Sequence, residues 1–193
     1  MRIKPDIYYG WWIVWACFLL SFYVGGVIFF GFTAFFEPIR EEFGWSYTQV
    51  SFAVSLRGLE MGLMAPFVGM LVDRFGCRIL IAAGVLTMGL GLFLLSLVDS
   101  LVMFYGAFLM LAFGAGGCTS VVTMTTVNNW FHKRLGVALG VMVSGFGASG
   151  LMVPLIVWLT DSFGWRTALI VLGIGMWVLG FPVVAIIKDG PGK

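Results

Sequence analysis

Six long apolar segments constrain the fold of this 193-residue chain more than any other feature of its sequence. A helix needs about 20 mainly apolar residues to cross the hydrocarbon core of a bilayer, and it satisfies its backbone polar groups internally. The segments cover residues 11–36, 48–72, 79–98, 101–127, 135–160 and 167–187. We therefore predict an all-α membrane protein with six transmembrane helices.

The composition agrees with burial in lipid. Only 10% of the residues are charged and the mean hydropathy is +1.05, whereas about a quarter of the residues of a soluble domain are charged. The net charge of +2 is small and the basic residues are scattered, which excludes a nucleic-acid partner. The lipid bilayer is the predicted surrounding of the chain.

The sequence offers no motif for a metal, a cofactor or an enzymatic nucleophile. Cys17, Cys77 and Cys118 have neither CxxC spacing nor a histidine at ligand spacing, so we predict no metal and no cofactor. The stretch "GASG", with Ser149, resembles the nucleophile motif of rhomboid-type intramembrane proteases. Such a serine needs a base from a later helix, but the sole histidine, His132, precedes it in a basic loop. We predict that the chain is not an enzyme.

Lysine and arginine are distributed unevenly among the loops. Short loops rich in positive charge stay on the cytoplasmic side of a membrane. With a cytoplasmic N-terminus, the cytoplasmic set is Arg2, Lys4, Arg74, Arg78, Lys133, Arg134, Lys188 and Lys193, and the external set is Arg40 and Arg166. We therefore predict a multi-pass protein of the plasma (cytoplasmic) membrane with both termini in the cytoplasm.

A stretch of the sequence recurs 88 residues later. "GLMAPFVGMLVDRFGCR" begins at Gly62, "GLMVPLIVWLTDSFGWR" begins at Gly150, and the two agree at nine of seventeen positions. Capping and turn preferences alone explain Gly76 and Gly164, but not the further identities held in register. Three predicted helices separate the two following loops, so the copies face opposite sides of the membrane. This pattern predicts an inverted repeat of three helices plus three, from which many secondary transporters are built.

Within each copy, a glycine and a proline lie one helical turn apart. The pairs are Gly62 with Pro66 and Gly150 with Pro154. A small residue permits close helix approach, and a proline removes a backbone hydrogen bond. We predict that these four residues serve as hinge or packing positions. Tight helix packing is also predicted for the glycines of the fifth span, which are Gly136, Gly140, Gly145, Gly147 and Gly150.

The loop after the second span resembles the signature loop between helices two and three of the major facilitator superfamily. The matching residues are Gly69, Leu71, Asp73, Arg74, Gly76 and Arg78, while Cys77 stands where the superfamily often has a basic residue. The resemblance implies a cytoplasmic latch formed by Gly69, Asp73, Arg74, Gly76 and Arg78. In such a latch the aspartate engages helix ends of the other half of the transporter while the transporter faces outward.

Other stretches resemble the monocarboxylate and oxalate/formate porters of that superfamily. They are "YGWW", "EFGWS", "WFHKRLGVALG" and "GWRTAL". The resemblance implies alternating access to a small organic anion, either a monocarboxylate or a dicarboxylate, coupled to protons or to exchange. Those porters have twelve helices in two halves, so residues 1–193 resemble the N-terminal half, with a second six-helix half expected from the same gene product or from another chain. The alternative is a non-transporting six-helix module, or a fragment that acts only with a partner chain.

Two ionisable residues lie deep inside the second span. Arg57 and Glu60 are spaced i, i+3, which places them on one helix face, close enough to neutralise each other. Charges at this depth are costly and often mark a substrate or proton path. We predict that Arg57 attracts a carboxylate and that Glu60 takes up a proton or holds Arg57 in place. A purely structural ion pair is the alternative.

The resemblance also implies that helices one and four line a central cavity. The polar candidates on these helices are Tyr23, Thr33, Thr119, Thr123 and Asn128. Hydroxyl groups in membrane helices often bond to their own backbone instead, so a structural role remains open for each of these residues.

Overall fold

The computed structural model describes residues 9–118, 120–131 and 134–188. Within these ranges six helices are long and apolar enough to cross a membrane, and no strand is present. They are α1 (Tyr9–Phe43), α2 (Tyr47–Phe75), α3 (Cys77–Ser96), α4 (Leu101–Asn128), α5 (Leu135–Phe163) and α6 (Trp165–Ile186). α4 is described on both sides of residue 119, as Leu101–Cys118 and Ser120–Asn128. The predicted all-α class is confirmed.

α1 extends beyond its apolar run, and this is the largest difference from the predicted spans. The prediction ended the first span at residue 36, before a glutamate and Pro38, but the helix continues to Phe43. The added turns are amphipathic, because Ile39 is fully buried while Glu37 and Arg40 pair on the exposed side at 2.5 Å. An apolar-run criterion misses such a polar helix end.

An irregular segment interrupts α1 at mid-length. Residues Gly25–Phe30 form a π-helix, which Gly31 closes by donating its N–H to the carbonyl oxygen of Gly26 at 2.6 Å. This segment packs against a 3₁₀ turn of α5, Ser149–Met152. A Cβ added at Gly25 would come within 2.6 Å of the Ser149 hydroxyl oxygen. The glycine therefore lets two irregular segments of different helices meet closely.

The core of the bundle forms where α3 packs against α4 and α6, and where α1 packs against α5. Small residues allow the close crossing of α3 and α4, because a Cβ at Gly91 would lie 2.8 Å from the Leu111 Cα. Large side chains such as Phe104, Phe108 and Met88 fill the remaining space and are fully buried.

α2 and α5 leave much of their surface uncovered by the rest of the chain. Only 6% of the most apolar window of α2 is buried, compared with 56% for α3. Open space surrounds the Cβ position at several of their glycines, namely Gly58, Gly62, Gly69, Gly136, Gly140, Gly147 and Gly150. No described residue approaches Gly62 or these glycines of the fifth span closely, and their role in helix packing stays a prediction. Gly145 does pack closely, because its Cβ position lies 2.5 Å from the Phe18 carbonyl oxygen.

The repeated stretch adopts the same corner twice. Gly76 alone joins α2 to α3 with φ 84° and ψ 161°, and Gly164 alone joins α5 to α6 with φ 80° and ψ 155°. Each donates its N–H to the carbonyl four residues earlier, on Val72 or Thr160, at 2.9 Å. Positive φ values of this kind are strained for residues with a side chain. The shared corner, with three helices between its copies, agrees with the predicted 3+3 inverted repeat.

The two prolines of the repeat lie in different surroundings. Pro66 lies inside the continuous helix α2, whereas Pro154 lies in the first turn after the 3₁₀ segment that interrupts α5. The backbone of α5 is therefore irregular at the predicted hinge, and that of α2 is regular. The hinge role of Gly62, Pro66, Gly150 and Pro154 stays a prediction.

Candidate substrate and proton site

Arg57 reaches from α2 to the π-helical segment of α1. Its Nη1 donates to the carbonyl oxygen of Ile28 at 2.5 Å, and its guanidinium carbon lies 4.8 Å from the centre of the Phe29 ring. Guanidinium groups stack favourably on aromatic faces. The buried Nε of Arg57 has no hydrogen-bond partner among the described residues. One edge of the guanidinium is therefore bonded to protein, and the edge carrying Nε has a donor to offer.

Glu60 lies three residues further along α2, in different surroundings. Its residue surface is 8% exposed, and within the described part of the chain neither buried carboxyl oxygen has a hydrogen-bond partner. The predicted neutralisation by Arg57 is wrong, because the two side chains form no ion pair among the described residues. The guanidinium is held instead by the Ile28 carbonyl and the Phe29 ring.

The two charges border two separate cavities. A cavity of about 620 Å³ lies beside Glu60 and is walled mainly by methionine, phenylalanine and small side chains of α1 to α5. A smaller cavity of about 360 Å³ lies beside Arg57. The smaller one is lined by Phe29, Phe32, Thr33, Phe36, Ser51, Val54, Ser55 and Arg57. It thus combines a cation, three hydroxyl groups and three aromatic rings.

Among the other predicted site residues that the structure describes, only Thr33 borders either cavity. Tyr23 is buried, and its hydroxyl donates to the Leu172 carbonyl oxygen of α6 at 2.6 Å, because a buried phenol needs a hydrogen-bond acceptor. Thr123 is fully buried and Asn128 is exposed, and both lie away from the two cavities. Thr119 lies outside the described residues.

Sequence reasoning missed the residues that complete the Arg57 cavity. Ser51 and Ser55 are spaced i, i+4 ahead of Arg57, so their hydroxyls fall on neighbouring turns of one helix face. That spacing is a signal that could have been used. Phe29 carried no comparable signal, because the π-helix that orients it does not follow from residue spacing.

The predicted latch lies at the far end of α2, about 20 Å along the helix from Glu60 by the rise per residue. Asp73 and Arg74 are exposed there, and the Arg74 guanidinium carbon lies 5.4 Å from the centre of the Phe75 ring. Arg78 is exposed in the first turn of α3. The carboxylate of Asp73 is therefore accessible at a helix end, and its latch role stays a prediction.

The second copy of the corner carries a cluster of charges at the other end of the bundle. Arg166 pairs with Glu42 at 3.1 Å and with Asp99 at 3.5 Å, and it donates to the Val98 carbonyl oxygen at 3.0 Å. Trp165 Nε1 also donates to Glu42, at 2.6 Å. These bonds join the end of α1, the α3–α4 loop and the start of α6.

The described residues contain no group of three or more histidine, cysteine, aspartate or glutamate side chains that could hold a metal ion. Cys17, Cys77 and Cys118 are buried and form no disulfide among the described residues. The candidate site therefore consists of the two cavities and their two charges.

The profile of the Major Facilitator Superfamily matches residues 14–193 of this sequence. The chain belongs to the Major Facilitator Superfamily. This membership confirms the resemblance drawn from the loop after the second span and from the four shorter stretches.

Curated relatives within the superfamily match most of this chain and part of their own length. Monocarboxylate transporter 13 of Bos taurus is 28% identical over 169 residues, which are 87% of this chain and 39% of that protein. Monocarboxylate transporter 12 of Homo sapiens is 29% identical over 171 residues, 88% of this chain and 33% of that protein. Monocarboxylate transporter 7 of Homo sapiens is 27% identical over 172 residues, which are 88% of this chain and 32% of that protein. The chain therefore spans between about a third and two fifths of these relatives. The names of these relatives describe transporters, which agrees with the prediction that the chain is not an enzyme.

Proposed function

We propose that this chain is one six-helix half of a secondary transporter, which moves a small monocarboxylate across the plasma membrane by alternating access. The proposal is supported by membership of the Major Facilitator Superfamily and by the relatives named monocarboxylate transporters. The observation that carries it is Arg57, whose buried Nε has no partner among the described residues and which borders a cavity lined by hydroxyl groups.

Arg57 suits a single carboxylate. A guanidinium can bind a carboxylate through two parallel hydrogen bonds, which gives both affinity and orientation. Nη1 is bonded to Ile28, so the edge carrying Nε is the one left with an unused donor for a ligand. One cation beside three aromatic walls favours a carboxylate joined to an apolar group over a dicarboxylate.

Glu60 supports coupling to protons. An ionised carboxylate in an apolar cavity is costly when neither a cation nor a hydrogen-bond donor compensates it. Glu60 has neither among the described residues. A carboxyl group in this position binds a proton readily and releases it when the cavity opens to water, so proton symport is favoured over exchange.

The uncovered faces of α2 and α5 support a second six-helix half as partner. Their open glycines allow another helix to approach closely. The length of the relatives agrees with additional helices in a working transporter. In this arrangement both termini are cytoplasmic, and Asp73 of the latch faces the second half at the cytoplasmic end.

Uptake by the full-length protein in liposomes tests the proposal. The probes are radiolabelled L-lactate and mandelate, with succinate as the dicarboxylate and lactamide as the uncharged analogue, and protein-free liposomes correct for leakage. We expect saturable uptake of the two monocarboxylates, stimulated by an outside-acid pH gradient. Absence of uptake by correctly inserted protein would overturn the proposal and favour a non-transporting membrane module.

The Arg57→Gln variant tests the anion site itself. A hydrogen bond to a charged group contributes about 1.5–3 kcal/mol, so we expect the variant to bind L-lactate at least about tenfold more weakly. Arg40→Gln is the matched control, because Arg40 pairs with Glu37 at the end of α1 and borders neither cavity. Equal affinity in Arg57→Gln and the native protein would assign Arg57 a structural role.

A further inference from the structure

Phe29 is shared by the two cavities that border the charges of α2. It lines both the 620 Å³ cavity beside Glu60 and the 360 Å³ cavity beside Arg57, and no other residue that the structure describes lines both. It belongs to the π-helical segment Gly25–Phe30 of α1. An aromatic residue of another helix therefore borders both cavities, whose charges are only three residues apart on α2.

The Phe29 ring is held in place from two sides. The Arg57 guanidinium carbon lies 4.8 Å from its centre, and the Phe146 ring of α5 meets it edge to face at 5.1 Å with an interplanar angle of 76°. Edge-to-face pairs and cation–π contacts each stabilise such an arrangement. The neighbouring carbonyl of Ile28 also binds Arg57, so one short segment of α1 both holds the guanidinium and places the ring.

Without this ring, we would expect Arg57 and Glu60 to form an ion pair. Side chains at i and i+3 of a helix are neighbours, and opposite charges there attract. The attraction is stronger in an apolar interior than in water. In the structure the Ile28 carbonyl and the Phe29 ring both hold the guanidinium, and Phe29 also borders the cavity beside Glu60.

We propose that Phe29 is a septum that keeps the anion site at Arg57 apart from the proton site at Glu60. This inference rests on the proposed function and deepens it. With the septum in place, Arg57 binds the carboxylate of the substrate while Glu60 carries the proton. When substrate is bound, Arg57 and the substrate carboxylate carry one positive and one negative charge, and the protonated Glu60 is neutral. When the site is empty and Glu60 is ionised, Arg57 and Glu60 carry the same two charges. Both forms therefore reorient without net charge.

Removal of the ring is expected to join the two cavities and let Arg57 pair with Glu60. The Phe29→Ala variant should then bind L-lactate at least about tenfold more weakly, because the carboxylate of Glu60 competes for the same guanidinium. The double variant Phe29→Ala/Glu60→Gln removes the competitor and should regain affinity to within about threefold of the native protein, since a threefold change is below 1 kcal/mol.

Phe30→Ala is the matched control. Phe30 is adjacent in the same segment, is 40% exposed and borders neither cavity. We expect native L-lactate affinity for this variant. Loss of affinity in Phe29→Ala that the double variant does not restore would overturn the septum, as would native affinity in Phe29→Ala. Restoration in the double variant also proves that the truncated side chain allows folding.

An infrared measurement separates failure of the septum from failure of the proposed function. The carbonyl band of a protonated Glu60 is assigned by its loss in Glu60→Gln, with no substrate present. We expect this band in the native protein and in Phe30→Ala at one fixed acidic pH, and its disappearance in Phe29→Ala as the ion pair forms. A band that persists in Phe29→Ala contradicts the septum even if L-lactate is not the substrate. If the band is lost in Phe29→Ala but the native protein takes up no monocarboxylate, the proposed function is contradicted and the septum is not.

Discussion

Arg57 and Glu60 lie less than one helical turn apart and yet occupy different surroundings. The guanidinium is bonded to a backbone carbonyl and stacked on an aromatic ring, whereas the carboxyl oxygens of Glu60 have no partner among the described residues. A bonded cation keeps its charge, while an uncompensated carboxyl group favours its neutral form in an apolar cavity. The two residues can therefore perform different tasks, which are anion binding and proton uptake.

The Glu60→Gln variant is expected to separate those tasks. Arg57 keeps its contacts with α1, so exchange of labelled for unlabelled L-lactate should continue. Accumulation driven by a pH gradient should be lost, since glutamine carries no exchangeable acid proton. For one proton per anion, a gradient of one pH unit supports about a tenfold accumulation, and the variant should show none.

Glu37→Gln is the control for this experiment, because Glu37 pairs with Arg40 at the end of α1 and borders neither cavity. It should accumulate L-lactate as the native protein does. Gradient-driven accumulation that survives in Glu60→Gln would mean that the proton travels by another route.

The depth of Arg57 and Glu60 in an apolar span made both residues recognisable from the sequence, since charge at that depth is costly. Their separation was not predictable from spacing, because it depends on Phe29 and Ile28 of another helix. Tyr23 shows the opposite case, in which a polar side chain suggested a cavity but serves helix packing through Leu172. Tertiary contacts decide such cases, and residue spacing along one helix does not contain them.

Helix ends and interruptions determine how the elements of this chain are arranged. The corners at Gly76 and Gly164 were predictable, because a repeated "FG" followed two residues later by arginine marks each of them. The π-helical segment of α1 and the 3₁₀ turn of α5 were not predictable, since each depends on packing against the other. Glycine is required at the corners by backbone conformation and at Gly25 by close contact.

At the element scale, we expect Gly164→Ala to destabilise the protein. Gly164 has φ 80°, and open space surrounds its Cβ position, so the cost is conformational and free of any clash. A side chain in such a backbone region costs about 1–3 kcal/mol. The midpoint of thermal unfolding in detergent should fall by several degrees.

Gly106→Ala provides the comparison, because Gly106 is helical, lies in open space and has no positive φ. Alanine is favoured over glycine inside a helix, so this midpoint should stay equal or rise. An unchanged midpoint in Gly164→Ala would show that the corner relaxes without strain.

The whole molecule is a bundle with two incompletely covered helices, α2 and α5. The two triple-helix units were predictable from the repeated stretch, because positions that adopt the same conformation in both units have kept the same residues. The uncovered faces were not predictable, because glycines that pack tightly and glycines that lie in open space look alike in a sequence. Gly145 and Gly147 show this within three residues of α5.

Asp73→Asn tests the proposed contact between halves. The exposed Asp73 lies at the end of α2, where a carboxylate can engage a helix end of the second half. We expect L-lactate uptake to fall several-fold while membrane insertion and protein amount stay unchanged. Glu41→Gln, an exposed carboxylate near the end of α1, should transport normally. Native uptake in Asp73→Asn would remove the latch role.

The central claim is that the two triple-helix units are inverted relative to each other in the membrane and so can expose one site to each side in turn. Two single-cysteine variants, Asp73→Cys and Asp161→Cys, test this claim directly. Each is made in a protein whose native cysteines are replaced. Intact cells that carry the variant are then treated with a membrane-impermeant thiol reagent. The account predicts that Asp161→Cys reacts from outside and that Asp73→Cys reacts only after the cytoplasmic side is opened. Reaction of both from the same side would contradict it.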